Sequence, residues 1–537
     1  MTDRQKKLDH GGELLQNNLD EVLSMSITLQ SQLGTLQPQP AVFQPQPGKF
    51  PDRKPSTLTD EVRTANLGDK RLNKRLATVL EKLGANPKLS IPAATDGRAE
   101  MEAAYRFFDN DEVTPQKILQ SHIAATHERI SQCGLVVLVQ DTSEMDLTRP
   151  QQQVAGAGPM DSNVRFGAFI HPLIAFDSTG IPLGTVWQKT WTRESIETTK
   201  TPAEKAKERK NTPIEKKESV RWIEGLRAAR VVAAACPNTT CVCVSDSESD
   251  IYELFSEPRS VTQPNGTSTP EVELIVRGCQ TRSTETGNWL NDVRTTPCLE
   301  FKSVQVSLRK AKIEVTKNKR GQSREARTAN VEVRAAAVKL LPPDRFDRQL
   351  LPVTVNVVLV EEPNPPEDCE PIQWLLVTTL PIATLEQVQQ IVKYYCLRWQ
   401  IEIFFRTLKS GCRVEERLFE RLSRTLNCLA VYSIVAWRVM YLCRLGRECP
   451  DISCEVVFTE SEWKSVFSVV KRGQPLPKTP PALNAMIRMI ATLGGFVDRP
   501  KNEPGPQTLW IGLQRLNCFS LAWDSFGPEG SESTANG

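Results

Sequence analysis

Two short apolar runs, each closed by an aspartate, constrain this chain more than any other feature. Cys133-Gly-Leu-Val-Val-Leu-Val-Gln-Asp141 and Cys241-Val-Cys-Val-Ser-Asp246 have strand length and composition, and a helical stretch of roughly Glu215 to Ala235 precedes the second. Strands alternating with helices then make an α/β sheet. Such a sheet gathers its ligands at the C-terminal strand ends, where Asp141 and Asp246 would sit. Carboxylates placed there could bind hard divalent cations through oxygen. The plainer alternatives are a capping box in Ser245-Asp-Ser-Glu248 and a turn role for an aspartate that ends a strand.

The rest of the chain arranges itself around this pair. Its 537 residues suggest about three or four domains. Residues 1–58 hold an amphipathic stretch, Leu14 to Leu33, and then a Gln/Pro run beginning at Gln37, which reads as an appended helix and a linker. From Thr59 the spacing predicts helices with one apolar stripe (Leu72, Leu76, Val79, Leu80, Leu83), beside the cations Lys70, Arg71, Lys74 and Arg75. Phe169 to Phe176, Leu183 to Trp191 and Val272 to Gly278 read as further strands, and Ser249 to Phe255 as a short helix. Alternating β-branched residues over 300–380 mark a β insertion with a basic loop, Lys317 to Arg327, and residues 385–445 are strongly helical.

Composition excludes several classes. Lys plus Arg is 67 and Asp plus Glu is 64, so a net charge of +3 leaves the partner open. The longest apolar stretch, Cys428 to Cys443, carries Arg438 and falls short of the ~20 residues that cross a bilayer, so a buried helix is expected and no membrane partner. Met1-Thr-Asp-Arg-Gln-Lys-Lys has no apolar segment after it, which predicts a cytoplasmic protein. Fourteen cysteines without a Cys-x-x-Cys pair, and only His10, His122, His127 and His171, predict reduced core thiols and no zinc site.

The segment from Tyr395 to Lys409 carries the most specific pattern. On an ideal helix Tyr395, Arg398, Glu402 and Lys409 fall within about 60° of one face, while Leu397, Ile401, Phe404, Phe405 and Leu408 form a separate apolar stripe. A solvated face with internal ion pairs is the bland reading. The functional one gives Glu402 to a three-carboxylate metal site and Arg398 and Lys409 to flanking phosphates.

Tyr395-(two)-Arg398-(three)-Glu402-(six)-Lys409 matches the Y-R-E-K signature of DDE transposases of the insertion-sequence-four family, and the chain resembles their transposon-five type. Gln140-Asp141-Thr-Ser and Ser245-Asp246-Ser-Glu-Ser-Asp-Ile-Tyr resemble that family's first- and second-acid segments. Leu67-Gly-Asp-Lys-Arg, Ala104-Tyr-Arg106-Phe, Glu218-Ser-x-x-Trp222, Pro365-Pro366 with Trp374-Leu-Leu, and Leu493-Gly-Gly-Phe resemble its landmarks in order. The likeness covers about residues 60–525. It departs at Ser247, where relatives often carry Arg.

The resemblance implies an α/β chain with an RNase H-like catalytic core and a β-rich insertion, flanked by helical N-terminal DNA-binding and C-terminal dimerisation domains. The expected division is a 1–58 extension, a 59–118 DNA-end-binding domain, a 119–450 catalytic domain with its insertion at about 298–370, and a 451–537 dimerisation domain. Asp141, Asp246 and Glu402 are then the catalytic and metal-holding triad for two magnesium ions, with manganese as a substitute. Tyr395, Arg398 and Lys409 position DNA, and Trp374 stacks on a base flipped out near the cut end. Arg71, Arg75 and Arg106 match positions in the end-binding helices. Without the likeness, Trp374 is a buried strand tryptophan and Arg71 and Arg75 an exposed i,i+4 pair. The implied partners are double-stranded DNA, both terminal inverted repeats and target, and a second copy of the chain in a synaptic complex on the nucleoid. The implied activity is nicking, hairpin formation, hairpin opening and strand transfer. The competing readings are a catalytically inactive DNA-binding transposition inhibitor or domesticated relative, which would not need the three acids, and a host magnesium-dependent nuclease.

Overall fold

The computed structural model describes residues 57–527, apart from 162–163, 195–200, 263–265, 267, 307–324, 346, 368, 370 and 501. The predicted N-terminal helix and Gln/Pro linker, and most of the basic loop at 317–327, lie outside the described residues.

The two apolar runs form parallel neighbours, β1 (Leu135–Gln140) and β4 (Thr240–Ser245). Between them in sequence come β2 (Phe166–Asp177) and β3 (Pro182–Trp191), and after them β5 (Glu273–Arg277). The spatial order is β3-β2-β1-β4-β5, with β1, β2 and β3 antiparallel in turn and β1, β4 and β5 parallel. A three-stranded meander whose first strand is followed in the sheet by two strands parallel to it is the RNase H-like arrangement. Val136 through Val139 and Cys241 through Val244 are all buried, so both faces of these two strands are covered.

The insertion continues this sheet rather than forming a separate one. Strands β6 (Glu300–Val306), β7 (Arg327–Leu340), β8 (Val353–Glu361) and β9 (Gln373–Thr378) pair antiparallel in succession, and β9 pairs with β5. Their alternating burial, as along β7, fits strands with one covered face.

The helices preceding the core are α1 (Lys70–Ala85), α2 (Arg98–Phe108) and α3 (Pro115–Ile130). Asp69 caps α1 by accepting from the Arg71 backbone N–H at 2.7 Å, and Leu76, Val79, Leu80 and Leu83 form its buried stripe. Helix α4 (Val220–Ala235) packs on β2, β3 and β4, as the sequence pattern over 215–235 anticipates. Helices α5 (Leu385–Cys396) and α6 (Gln400–Arg406) follow the insertion, and α7 (Leu422–Glu448) runs for 27 residues.

Helix α7 is long and apolar enough to cross a membrane, yet almost all of its apolar window is buried inside the protein. Asn427 Nδ2 donates to the Phe108 and Val113 carbonyls at 3.0 and 2.8 Å, and Trp437 Nε1 donates to the Pro182 carbonyl at 2.8 Å. Near its other end Arg447 donates to the Pro504 carbonyl at 2.6 Å. Beyond α7, helices α8 (Glu460–Val470), α9 (Leu483–Leu493) and α10 (Pro506–Phe526) pack on one another. All fourteen cysteines are free thiols, and nine of them are buried.

Candidate active site

Strand register brings the first two acids together. Val139 lies beside Val244 in the parallel pair, and the same register carried two residues further sets Asp141 beside Asp246. Neighbouring strands lie about 4.8 Å apart, which places both carboxylates at one sheet edge. The capping role also holds, because Asp246 Oδ1 accepts from the Glu248 backbone N–H at 2.9 Å and starts a short 3-10 turn. The other acids of that segment are engaged elsewhere. Asp250 accepts from the backbone N–H groups of Cys279 and Gln280, both at 2.7 Å, and pairs with Arg282. Glu248 pairs with Arg221 at 2.7 Å.

The segment from Tyr395 onward is not one ideal helix. Helix α5 ends at Cys396, a 3-10 turn spans Leu397–Trp399, α6 follows, and Thr407–Gly411 is a π turn. The 3-10 turn overwinds the chain and the π turn underwinds it, so a uniform angular reckoning fails over this stretch. Arg398 Nη2 still reaches Glu402 Oε1 at 3.0 Å, while Arg398 Nη1 reaches Asp141 Oδ2 at 3.0 Å. Lys409 instead faces Glu415, with Nζ 3.3 Å from Oε1.

One guanidinium therefore ties two acids that are 261 residues apart in sequence. The Arg398 side chain is 5% exposed, against 15% for Asp141 and 22% for Glu402. Burial pushes Asp141 up to about 7; Arg398 opposes this, and the charges of Asp246 and Glu402 add to it. Burial also raises Glu402, against Arg398, with Asp246 again contributing. Burial works against the charge on Arg398, but Tyr395, Asp141, Glu402 and Asp246 together hold it firmly protonated. Its guanidinium lies 3.8 Å from the Trp399 ring centroid.

Tyr395 is fully buried, and burial raises its phenol. Trp374, on β9, meets the Tyr395 ring edge-on at 5.6 Å and is itself buried, as the plain strand reading expects. The Arg277 guanidinium lies 5.9 Å from the indole centroid. Arg71 and Arg106 are exposed on α1 and α2, Arg75 is half-buried, and the Arg71 side chain, 93% exposed, pairs with Asp69 at 2.9 Å.

Among the described residues no three His, Cys, Asp or Glu side chains are grouped closely enough to hold a metal ion as they stand, and Arg398 occupies the space between Asp141 and Glu402. The donor set nonetheless suits a hard divalent cation. It offers carboxylate oxygens alone, and burial, with the charges of Asp246 and Glu402 adding to it, makes the bare Asp141 carboxylate costly enough to favour a cation beside it.

Sequence reasoning did not single out Gln140, His171, Arg221, Arg277 or Glu415, which contact or flank these groups. A lone histidine within the apolar run of β2 and a glutamine just before Asp141 were the available signals.

Comparison with known proteins agrees with this geometry. Residues 55–113 match the family described as transposase DNA-binding, 201–435 the transposase DDE domain, and 434–524 the transposase Tn5 dimerisation domain. Asp246 and Glu402 fall inside the DDE match and Asp141 ahead of it. A solved piggyBac transposase synaptic complex with hairpin DNA is similar at 11% identity and a TM-score of 0.30, over 97% of this chain and 84% of that one, a likeness too slight to carry an argument. The three matched regions, in order along most of the chain, place it among the Tn5-type DDE transposases, DNA-binding enzymes with a dimerisation domain.

Proposed function

We propose that the chain is a cut-and-paste transposase that binds terminal inverted repeats through residues 59–118 and cleaves DNA in a catalytic domain spanning 119–450. It pairs with a second copy through 451–537. Asp141, Asp246 and Glu402 act as the catalytic triad. The observation that carries this reading is the bridge from Arg398 to Asp141 and Glu402, with Asp246 in electrostatic contact with both acids.

Magnesium, or manganese in its place, would be held by those three carboxylates and would supply the Lewis acidity for an in-line phosphodiester displacement. The chain's own residues do the positioning. Arg398, freed from the acids, offers a planar fork to a phosphate, and Lys409 adds a point charge once it leaves Glu415. Trp374 takes a flipped base on the face that Arg277 now covers, which supports a hairpin intermediate with its strained terminal backbone. Joining of the 3′ ends to target DNA follows at the same site. Arg71, Arg75 and Arg106 grip the element end. The nucleoid of the cytoplasm is where such a protein would work.

The test uses linear DNA bearing the element's ends, with magnesium or manganese. Wild-type protein should nick and then hairpin the ends only with a divalent cation, and Glu402→Gln should bind the ends and leave them intact. Undiminished nicking by Glu402→Gln would remove Glu402 from the triad. End binding without cleavage by the wild type would favour the inactive, DNA-binding alternative.

A further inference from the structure

Behind Asp141, on the side of the strand away from its carboxylate, lies a set of buried polar groups that packing alone does not require. Gln140 and His171 are fully buried within otherwise apolar strands. Fully buried polar side chains cost stability unless they are paired, and every polar side-chain atom of Gln140 and His171 has a partner.

The direction of each bond follows from chemistry. Arg221 can only donate, and its Nε donates to Thr142 Oγ1 at 2.7 Å. Thr142 accepts there; at the far end the Trp222 carbonyl can only accept, so the Gln140 amide nitrogen faces it and Oε1 faces His171 Nε2, which leaves Nδ1 to accept the Thr142 proton at 2.8 Å. With Nδ1 accepting, the ring proton sits on Nε2 and is donated to Gln140 Oε1 at 3.1 Å. The Gln140 amide then donates to the Trp222 carbonyl at 3.4 Å and Cys243 Sγ at 3.3 Å. His171 is held neutral by burial, with Arg221 and Lys189 adding to the effect, as this sequence of donors needs.

The chain of bonds begins and ends on α4, crosses the tip of β1 on both sides of Asp141, passes through β2 and touches β4 three residues before Asp246. The second arm of Arg221 holds Glu248, in the turn that Asp246 caps. Gly225 of α4 lies so close that a Cβ there would overlap the Gln140 carboxamide. Trp187 and Trp222 meet the His171 ring edge-on at 5.9 and 4.6 Å.

We propose that this relay, Arg221 to Thr142 to His171 to Gln140, is a positioning element that fixes the Asp141 carboxylate relative to Asp246 for cation binding. The proposal rests on the metal-dependent reading above. Thr142 is its most informative member, because valine keeps the shape and deletes both bonds, whereas serine keeps the hydroxyl.

The full-length protein is titrated with Mn2+ alone, following its thermal stabilisation, and end binding and nicking are measured in parallel. Thr142→Val should need about ten-fold more Mn2+ for half-maximal stabilisation and nicking, with end binding unchanged. Thr142→Ser should stay within about two-fold of wild type. His171→Phe should resemble Thr142→Val, and the double variant should cost no more than either single one, as members of one chain do. A wild-type response in Thr142→Val, an equal loss in Thr142→Ser, or additive losses in the double variant would overturn the relay. Failure of both Thr142→Val and His171→Phe to fold would overturn it too, since the bonds would then hold the domain rather than one carboxylate. If wild type itself ignores Mn2+, the metal-dependent reading falls and the relay with it; if wild type responds and Thr142→Val responds identically, the relay alone falls.

Discussion

Arg398→Gln removes the only cation joined to both Asp141 and Glu402 among the described ion pairs. Each contact is 3.0 Å, which at an effective dielectric of ~20 corresponds to roughly 5 kcal/mol of gross attraction. Much of that offsets the cost of burying three charges. Breaking such a set by deleting one partner typically costs about 3–5 kcal/mol, because the remaining charges stay buried. The acids have an escape, since they can take up protons. Asp141 already has a folded-state value of about 7, above its unfolded value of 3.8, and without Arg398 that value rises further. A raised carboxylate is least costly at low pH, and its cost grows as pH climbs through the folded-state value. The variant's deficit should therefore be small near pH 5.5 and approach the full ~3–5 kcal/mol near pH 8.5, several degrees in melting temperature. Scanning calorimetry of the metal-free protein in EDTA at both pH values reads this directly. Added Mn2+ should then stabilise the variant more than the wild type, since no guanidinium has to leave. Equal melting temperatures in EDTA at pH 8.5, or equal Mn2+ shifts, would refute the role of Arg398 as resident counter-ion.

Other predictions concern separate parts of the molecule. Lys409→Ala should weaken DNA binding similarly for all sequences and reduce the slope of log affinity against log salt by about 1, measured by anisotropy titration. Trp374→Ala should spare nicking and impair the hairpin step by the ~1–3 kcal/mol of one base stack, measured by single-turnover gel assay; an equal fall in both steps would argue against a base-holding role. Glu61 accepts from Arg129 at 2.9 Å and contacts His122 at 2.6 Å; burial alone would raise it, but His122 and Arg129 outweigh that and hold it at about 2. This depressed carboxylate stabilises the fold above its unfolded value of 4.5 and loses that contribution as pH falls towards 2. Glu61→Gln should lower the melting temperature at pH 7 and flatten its decline below pH 4.5.

The strands of the core and the ends that carry Asp141 and Asp246 were legible because an apolar run closed by an acid fits little besides a buried strand that surfaces at a sheet edge. Spacing put Glu402 and Arg398 on one helix face but fitted a solvated ion-paired face as well, and the match to the Y-R-E-K signature was what singled them out. Their meeting with Asp141 was not legible, because that contact spans 257 residues and depends on how α5 and α6 dock on the sheet. The interruption of the Tyr395–Lys409 segment was hidden for a related reason. Its 3-10 and π turns reflect tertiary packing, and no glycine or proline announces them before Gly411. Gln140 and His171 read as isolated polar residues in strands, and only the three-dimensional pairing shows them to be consecutive links. The union of the insertion with the core through β9 and β5 was equally invisible, since strand partners separated by about a hundred residues leave no local trace.

Helix α7 has a consequence for synthesis. It holds carbonyls of the N-terminal helices, of the β2–β3 hairpin and of the C-terminal region along one rod. A growing chain emerging from the ribosome lacks this rod until residue 448 has been made, and until then the apolar surfaces it covers stay open to chaperones and proteases. The acids face the same schedule, because the third is encoded 261 residues after the first. A chain that stops before α7 therefore lacks the element that joins these three regions.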